Sequence, residues 1–116
     1  MTTTYLANAF SLSMLELGEE PMTIKVRKIP LEEVKRLLSG GFISAIGHSS
    51  TASALSKILG INVPTNRINI TLKRGSALVV FQLKIGRLPQ GKELGEKEIM
   101  TAWQNGDAYF VLVTVE

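Results

Sequence analysis

The last apolar segment of the chain constrains its fold more than any other feature. Residues 109–115 consist only of aromatic residues, leucine and β-branched residues. Such a run favours a strand, and successive side chains of a strand point to opposite faces of its sheet. Both faces of this strand are apolar, so we expect it in the centre of a sheet or at a subunit interface.

Strand-like and helix-like segments alternate along the rest of the chain. Further strands are predicted at 2–7, 22–29, 42–46, 67–72 and 77–83. Helices are predicted as a short turn capped by Ser11, a helix from Pro30 to Gly40 and Gly41, a helix from Ser49 or Ser50 to Gly60, and a helix at 96–104. The turn-like sequence 73–76 predicts an antiparallel hairpin between strands 67–72 and 77–83. The order of segments predicts one α/β domain over residues 1–116, with a mixed sheet of about five strands and helices packed on it.

Residues that form disulfides or bind metals are nearly absent. The chain has 116 residues, no cysteine and one histidine. This composition excludes disulfides, thiolate zinc sites, a cysteine nucleophile and a metal centre with several histidines. The acidic residues form no cluster suited to bind a metal by themselves, so we expect chemistry without a metal or another cofactor.

No segment predicts export or membrane insertion. The N-terminus lacks the basic residues and the apolar stretch of a signal peptide. The longest uncharged run, 37–56, contains Gly, Ser, Thr and His, and it is too polar for a transmembrane helix. We therefore expect a soluble intracellular protein with no membrane partner.

Positive charge is concentrated in the middle of the chain. Between Glu33 and Glu93 there are nine Lys and Arg residues and no Asp or Glu, although the net charge of the chain is only +3. This asymmetry indicates an anionic ligand, and the same segment contains the histidine. A solvated basic surface without a partner is the alternative.

Segment 44–51 is the strongest candidate binding motif. A predicted strand runs into Gly47 and His48, and the hydroxyl residues Ser49, Ser50 and Thr51 follow at the start of a helix. The N–H groups and the dipole at a helix N-terminus attract phosphate, and a glycine lets the backbone approach a ligand closely. A plain helix cap is the alternative, because Ser and Thr are common N-cap residues.

His48 and Arg87 are the candidate catalytic residues. Histidine exchanges protons near neutral pH, so His48 could protonate the leaving group of a phosphodiester. Arg87 lies in a predicted loop, 84–95, that is long enough to close over a ligand, and its guanidinium could stabilise a pentacoordinate phosphorane. A packed structural histidine and a solvated loop arginine are the alternatives. The neutral residues near predicted strand ends, which could bind a base or ribose or else cap the backbone, are Asn8, Ser11 and Gln82.

Four blocks of the sequence resemble the viral ring nucleases, which are type III anti-CRISPR proteins of archaeal viruses, phages and mobile elements. The blocks are NAFSLSML at 8–15, AIGHSST at 45–51, NR at 66–67, and RLPQGK at 87–92 followed by EKEI at 96–99. They occur in the order and spacing of the family. The resemblance covers nearly the whole chain.

The resemblance implies a homodimer that binds cyclic tetra-adenylate across the subunit interface, closes a loop over it and cuts it without a metal. His48 would be the general acid, and Arg87 would lie near the scissile phosphate. The products would be linear di-adenylates with a 2′,3′-cyclic phosphate, so type III CRISPR signalling would be blocked in the cytoplasm of an infected host cell. The ligand-binding residues that the resemblance and the 44–51 motif indicate are Asn8, Ser11, Ser13, Gly47, Ser49, Ser50, Thr51, Arg67, Gln82 and Gln90.

Two other ligand-binding functions remain open at this point, besides a structural or interaction protein that would leave the region of Gly47 and His48 without a ligand. A nucleic-acid-binding dimer would also use the basic segment, although the sequence has no aromatic RNA-recognition pattern and no helix-turn-helix, so no sequence-specific nucleic acid is expected. A protein that binds the ring without cutting it would share the binding residues, and Gln90 stands where the family usually has glutamate. Turnover distinguishes this binder from an enzyme.

Overall fold

The computed structural model describes residues 3–84 and 95–116 of the chain. The strands in these segments are β1 (Thr4–Ala7), β2 (Ile24–Ile29), β3 (Ile43–Ser44), β4 (Ala77–Leu83) and β5 (Ala108–Val115). The helices are α1 (Leu31–Ser39), α2 (Ser49–Leu59) and α3 (Glu96–Gln104), with a 3₁₀ turn at Leu12–Met14. Within these two segments, no helix combines the length and the apolar character needed to cross a bilayer.

All five strands belong to one mixed sheet with the order β2-β5-β4-β1-β3. β1 pairs in parallel with both β3 and β4, whereas β5 is antiparallel to both β2 and β4. The predicted α/β domain with a five-stranded mixed sheet is therefore confirmed. The position of β5 between two strands also confirms the prediction for 109–115, because its apolar residues are covered on both faces.

The sheet has a helix face and a loop face, each with its own apolar core. On the helix face, Leu6, Val79 and Phe110 pack with side chains from all three helices, among them Val34 of α1 and Leu55 of α2. On the loop face, the side chains of the sheet are covered by the 3₁₀ turn and by the segment 67–72. The buried residues of the loop face are Ala7, Ile70, Leu72, Leu78, Val80, Val113 and Val115. Both cores are aliphatic or aromatic, so the sheet is stabilised mainly by apolar burial.

The predicted strand at 67–72, and with it the predicted hairpin, is wrong. β4 already has two partners, β1 and β5, so no edge of β4 remains for segment 67–72. The segment instead crosses the loop face, and in the described part of the chain its strand-like pairing is limited to one isolated parallel bridge between Leu72 and Leu15, the residue after the 3₁₀ turn. Its alternating apolar residues are explained by this position, because Ile70 and Leu72 are buried while Ile68 is 41% exposed.

The predicted ends of the helices are close to the observed ones. Pro30 is the N-cap residue of α1, in extended conformation, and Glu32 and Glu33 lie in the first turn as expected. Gly60 ends α2 with a φ of 70°, and its N–H donates to the Ser56 carbonyl. This left-handed conformation favours glycine over every residue with a side chain.

Glu96 at the start of α3 joins this helix to α2. Its Oε1 accepts hydrogen bonds from Lys57 Nζ at 2.6 Å and from Ser53 Oγ at 2.9 Å. The bond from Lys57, and then the bond from Ser53, lower the pKa of the Glu96 carboxyl below its ordinary value. The ionised carboxylate is therefore the form that the folded chain stabilises.

We expect the effect of the E96Q substitution on stability to depend on pH. A carboxyl whose pKa is lowered by folding adds stability above its unfolded pKa, and that stability is lost as the pH falls through its folded pKa. E96Q should therefore lower the Tm at about pH 7 and should have little effect near pH 2, where both side chains are neutral. The measurement is thermal unfolding followed by circular dichroism across this range. E98Q, on the exposed surface of the same helix, is the matched control, and an equal effect of E96Q at both pH values would contradict the prediction.

Candidate functional site

The site lies where the three parallel strands β1, β3 and β4 end. Asn8 follows β1 directly and is exposed, and the segment 45–48 follows β3. Gln82 is the second-last residue of β4 and is also exposed. The carboxyl ends of parallel strands meet at one edge of a sheet, and this edge is the usual ligand-binding position in α/β folds.

The predicted phosphate-binding motif is at the N-terminus of α2. His48 is the N-cap residue in extended conformation, and its side chain does not cap the helix. Ser49, Ser50 and Thr51 form the first turn, as the sequence predicts. Thr51 is only 8% exposed, so its hydroxyl is much less accessible to a ligand than the exposed Ser49. The N-terminal turn of the helix nevertheless directs N–H groups and the positive end of the helix dipole toward this edge.

Hydrogen bonds from segment 64–66 fix the chain between β3 and α2. The Asn66 N–H donates to the Ile46 carbonyl and Asn66 Nδ2 donates to the Ser44 carbonyl, both at 2.7 Å. Ser44 is buried, and its hydroxyl donates to the Pro64 carbonyl at 2.6 Å. The sequence analysis did not single out Ser44 because one serine in an apolar strand carries no distinctive signal. These bonds make the chain between β3 and α2 rigid, and this rigidity holds His48 in position.

Arg67 lies directly across Gly47. Arg67 Nε donates to the Gly47 carbonyl at 2.9 Å. A Cβ atom at position 47 would lie 3.2 Å from Arg67 Cγ, so the absence of a side chain at Gly47 lets the arginine approach the backbone. The Arg67 side chain is exposed and, within the described part of the chain, makes no ion pair. Its charge is therefore available to an anion.

Two neighbouring cavities connect Arg67 with the serines after β1. One cavity of 290 Å³ is lined by Ala45, Gly47, Arg67, Ile68 and Asn69. The other, of 410 Å³, is lined by Ser11, Ser13, Met14, Ile68, Asn69, Ile70 and Thr71. They share Ile68 and Asn69, so they form one continuous surface that brings Ser11 and Ser13 to the side of Arg67. Ile68 and Asn69 were missed, because the sequence analysis placed them in a strand.

The serines of this surface contact each other. Ser11 Oγ and Ser13 Oγ are 2.7 Å apart, and both residues are exposed. Ser11 is the N-cap residue of the 3₁₀ turn, as predicted, but its side chain makes no hydrogen bond to the backbone of that turn. The hydroxyls instead form a pair that can both donate and accept.

Several of the described candidates do not line these two cavities: Asn8, His48, Ser49, Ser50 and Thr51. Gln82 lines neither cavity, and its Nε2 donates to the Leu83 carbonyl at 3.0 Å. Arg87 and Gln90 lie outside the described residues. Among the residues that the structure does describe, no group of three acidic or histidine side chains could hold a metal ion.

A larger cavity of 660 Å³ lies at the opposite edge of the sheet. Its charged lining residues are of both signs: Glu16, Glu19, Glu20, Lys73, Arg74 and Glu116. The carboxylates would repel an anionic ligand, whereas the lining of the two smaller cavities contains no acidic residue. The smaller pair therefore matches an anion better than the larger cavity does.

The chain is similar to known proteins over nearly its whole length. The family model described as STIV B116-like matches residues 4–108. B116 of Sulfolobus turreted icosahedral virus is a solved structure with a TM-score of 0.73 and 32% identity, covering 97% of this chain and 98% of that one.

Similar proteins occur in another virus and in a bacterium. Uncharacterized protein 26 of Sulfolobus islandicus filamentous virus is 36% identical over 97% of this chain and 93% of its own length. Uncharacterized protein YddF of Bacillus subtilis is 35% identical over 71% of this chain and 78% of its own length. Proteins similar to this chain therefore occur in viruses and in a bacterium.

The G47A substitution should displace Arg67 without disturbing the fold. The new methyl group would approach Arg67 Cγ to 3.2 Å, and the flexible side chain would move away from the Gly47 carbonyl. We expect the Arg67 Nε–H signal in an NMR spectrum to shift and to exchange faster with solvent, while stability changes by less than about 1 kcal/mol. G40A is the matched control, because nothing lies within 4 Å of its added Cβ. An unchanged Arg67 signal in G47A would refute the described contact.

Proposed function

The chain belongs to the STIV B116-like family, and we propose that it is a metal-independent ring nuclease. Its substrate would be cyclic tetra-adenylate, and its products linear di-adenylates with a 2′,3′-cyclic phosphate. Cleavage would remove the ring as a signal of type III CRISPR defence, which is the role of an anti-CRISPR protein in an infected host cell. The observation that supports this proposal best is the continuous donor-rich surface from Ser11 through Arg67 to Gly47, directly before His48 and α2.

The substrate supplies its own nucleophile in the proposed reaction. A ribose 2′-oxygen attacks the adjacent phosphorus in line, its proton passes to solvent, and the bond from phosphorus to the 5′-oxygen breaks. His48 donates a proton to the departing 5′-oxygen. The reaction therefore needs a positioned phosphate and a proton donor, and it needs no external nucleophile.

The cationic groups would stabilise the negative charge on the oxygens of the phosphorane. Arg67 and the N-terminus of α2 would bind phosphate oxygens by hydrogen bonds and by charge, a role that the contact of Arg67 with Gly47 before this helix supports. We assign Arg87 to the phosphorane on the basis of the sequence resemblance. Asn8, Ser11 and Ser13 would bind ribose or base groups through exposed polar atoms.

We propose that two copies of the chain form the complete site. The cavities of 290 and 410 Å³ lie in or near the lower part of the roughly 300–1,000 Å³ range of pockets that enclose a drug-sized ligand. A ring of four nucleotides is larger than such a ligand, so one copy offers it only part of a pocket. A two-fold dimer would present the same residues to opposite phosphates of the ring, because a four-fold ring contains a two-fold axis.

We expect H48A to lose most of the cleavage activity and to keep most of the affinity for the ring. General acid catalysis contributes about 10²- to 10⁴-fold to a rate, so the single-turnover rate should fall by that range. The fold should persist, because the His48 side chain does not cap α2. The measurement combines single-turnover cleavage, with products identified by mass, and calorimetric titration of the ring. Unchanged turnover would remove His48 from the mechanism.

A ring with sulfur in place of the 5′-bridging oxygen tests the assigned role more directly. A thiolate leaves without being protonated, so H48A should cleave this ring at nearly the rate of the original chain. The matched control is K35Q, which changes an exposed residue of α1 outside the candidate site and should cleave each ring at the rate of the original chain. If H48A cleaves neither ring, His48 has a role other than proton donation.

We expect EDTA to leave the cleavage rate unchanged. This experiment also separates the proposed enzyme from the two alternative functions. Tight ring binding without any product would indicate a protein that sequesters the ring. Absence of ring binding, together with affinity for duplexes that falls steeply with salt, would indicate a nucleic-acid-binding protein.

A further inference from the structure

Two lysine side chains meet one tyrosine ring at the edge of the sheet that holds the site. Lys28 Nζ lies 5.2 Å from the centre of the Tyr109 ring, and Lys84 Nζ lies 5.3 Å from it. Lys28 belongs to β2 and Lys84 directly follows β4, and these two strands flank β5 on either side. The two ammonium groups therefore approach the ring from the strands on both sides of it.

Backbone hydrogen bonding places Tyr109 of β5 next to β4, which Lys84 directly follows. Tyr109 is the second residue of β5 and is directly opposite Gln82 of β4. The Lys84 N–H donates to the Asp107 carbonyl at 2.6 Å, which places Lys84 beside the start of β5. An ammonium group near the face of an aromatic ring is attracted by the ring's quadrupole, so Tyr109 holds both lysines near one point.

Within the described segments, neither lysine has an acidic partner. The ion pairs seen in segments 3–84 and 95–116 involve Lys25, Arg27 and Lys57, and neither Lys28 nor Lys84 is within ion-pair distance of a carboxylate there. Both lysines are exposed. Two like charges drawn to one ring repel each other, and a bound anion would relieve this repulsion.

The lysine pair is next to a residue of the proposed site. Gln82 and Tyr109 form a direct cross-strand pair, so their side chains lie on the same face of the sheet and close together. Gln82 is one of the ligand-binding residues that the sequence analysis indicates. An anion held by the lysines would therefore lie beside a ligand that contacts Gln82.

We propose that Lys28 and Lys84 bind a phosphate group of the ring beside Gln82, with Tyr109 as the positioning residue. This inference rests on the proposed function and extends it, because it assigns a phosphate subsite at the ends of β2 and β4 on either side of β5, outside the two cavities that contain Ser11 and Arg67. The chemical class that this subsite recognises is a phosphodiester. The tyrosine acts through the lysines and needs no contact with the ligand.

Neutralising either lysine tests the subsite. We expect K28Q and K84Q each to weaken binding of cyclic tetra-adenylate by about threefold at low salt, and the double variant by about tenfold. Each loss of a phosphate contact should also reduce the slope of log affinity against log salt by about one. K35Q, which removes an exposed lysine from α1 on the other side of the domain, is the matched control and should leave both affinity and slope unchanged.

Substitutions of Tyr109 test whether its ring positions the two lysines or only stabilises the fold. Y109F keeps the ring quadrupole and should bind like the original chain, whereas Y109L should weaken binding and reduce the salt slope. Equal affinity and slope in K28Q, K84Q and K35Q would overturn the subsite, even if the original chain binds and cleaves the ring.

A second probe keeps the two proposals distinguishable. If the original chain does not bind the ring, the proposed function fails, and the same variants are titrated with a linear tetra-adenylate that carries a 5′-phosphate. Weaker binding by K28Q and K84Q than by K35Q would then support a phosphate subsite without a ring nuclease. Absence of binding to the linear probe, or equal affinity in all three variants, would overturn the subsite as well.

Discussion

The pairing of β1 on both of its sides organises this protein. All four of its residues pair in parallel with β4 and two of them also pair in parallel with β3, so all three strands end at the same edge of the sheet. Each of these strand ends carries a different kind of polar group: Asn8 and the serines after β1, the helix N-terminus after β3, and Gln82 at the end of β4. A strand order that separated these three ends would scatter the same residues over the domain.

The loop face contributes the part of the candidate site that the strand ends do not form. Segment 67–72 crosses this face in irregular conformation, and Ile70 and Leu72 anchor it in the apolar core. Because it is anchored at this end, Arg67 at its start can lie across Gly47 while Ile68 and Asn69 line both cavities. The helix face supports the candidate site from the other side of the sheet. The contacts of Glu96 with Lys57 and Ser53 hold α3 against α2, and the first turn of α2 belongs to the candidate site.

The sequence contained enough information for most of the secondary structure and less for the site. Residues 109–115 could be placed inside the sheet because a strand that is apolar on both faces has few other stable positions. Segment 67–72 could not be placed, because burial of alternate residues gives the same pattern whether a segment pairs in a sheet or crosses its face. The motif and the family resemblance predict Gly47, His48 and Arg67 as site residues. The Lys28, Tyr109 and Lys84 cluster depends on the position of β5 between β2 and β4, and no local pattern reveals that order.

The pairing of β1 with β4 has a consequence for the way the chain folds. Thr4 near the N-terminus pairs with Ala77, so a large loop must close before this ladder can form, and closing a large loop is slow compared with forming a helix. During synthesis on the ribosome, α1 and α2 can begin to form while β1 still lacks its partner in β4. The surface that contains Ser11 and Arg67 is therefore completed late, after most of the chain has been made.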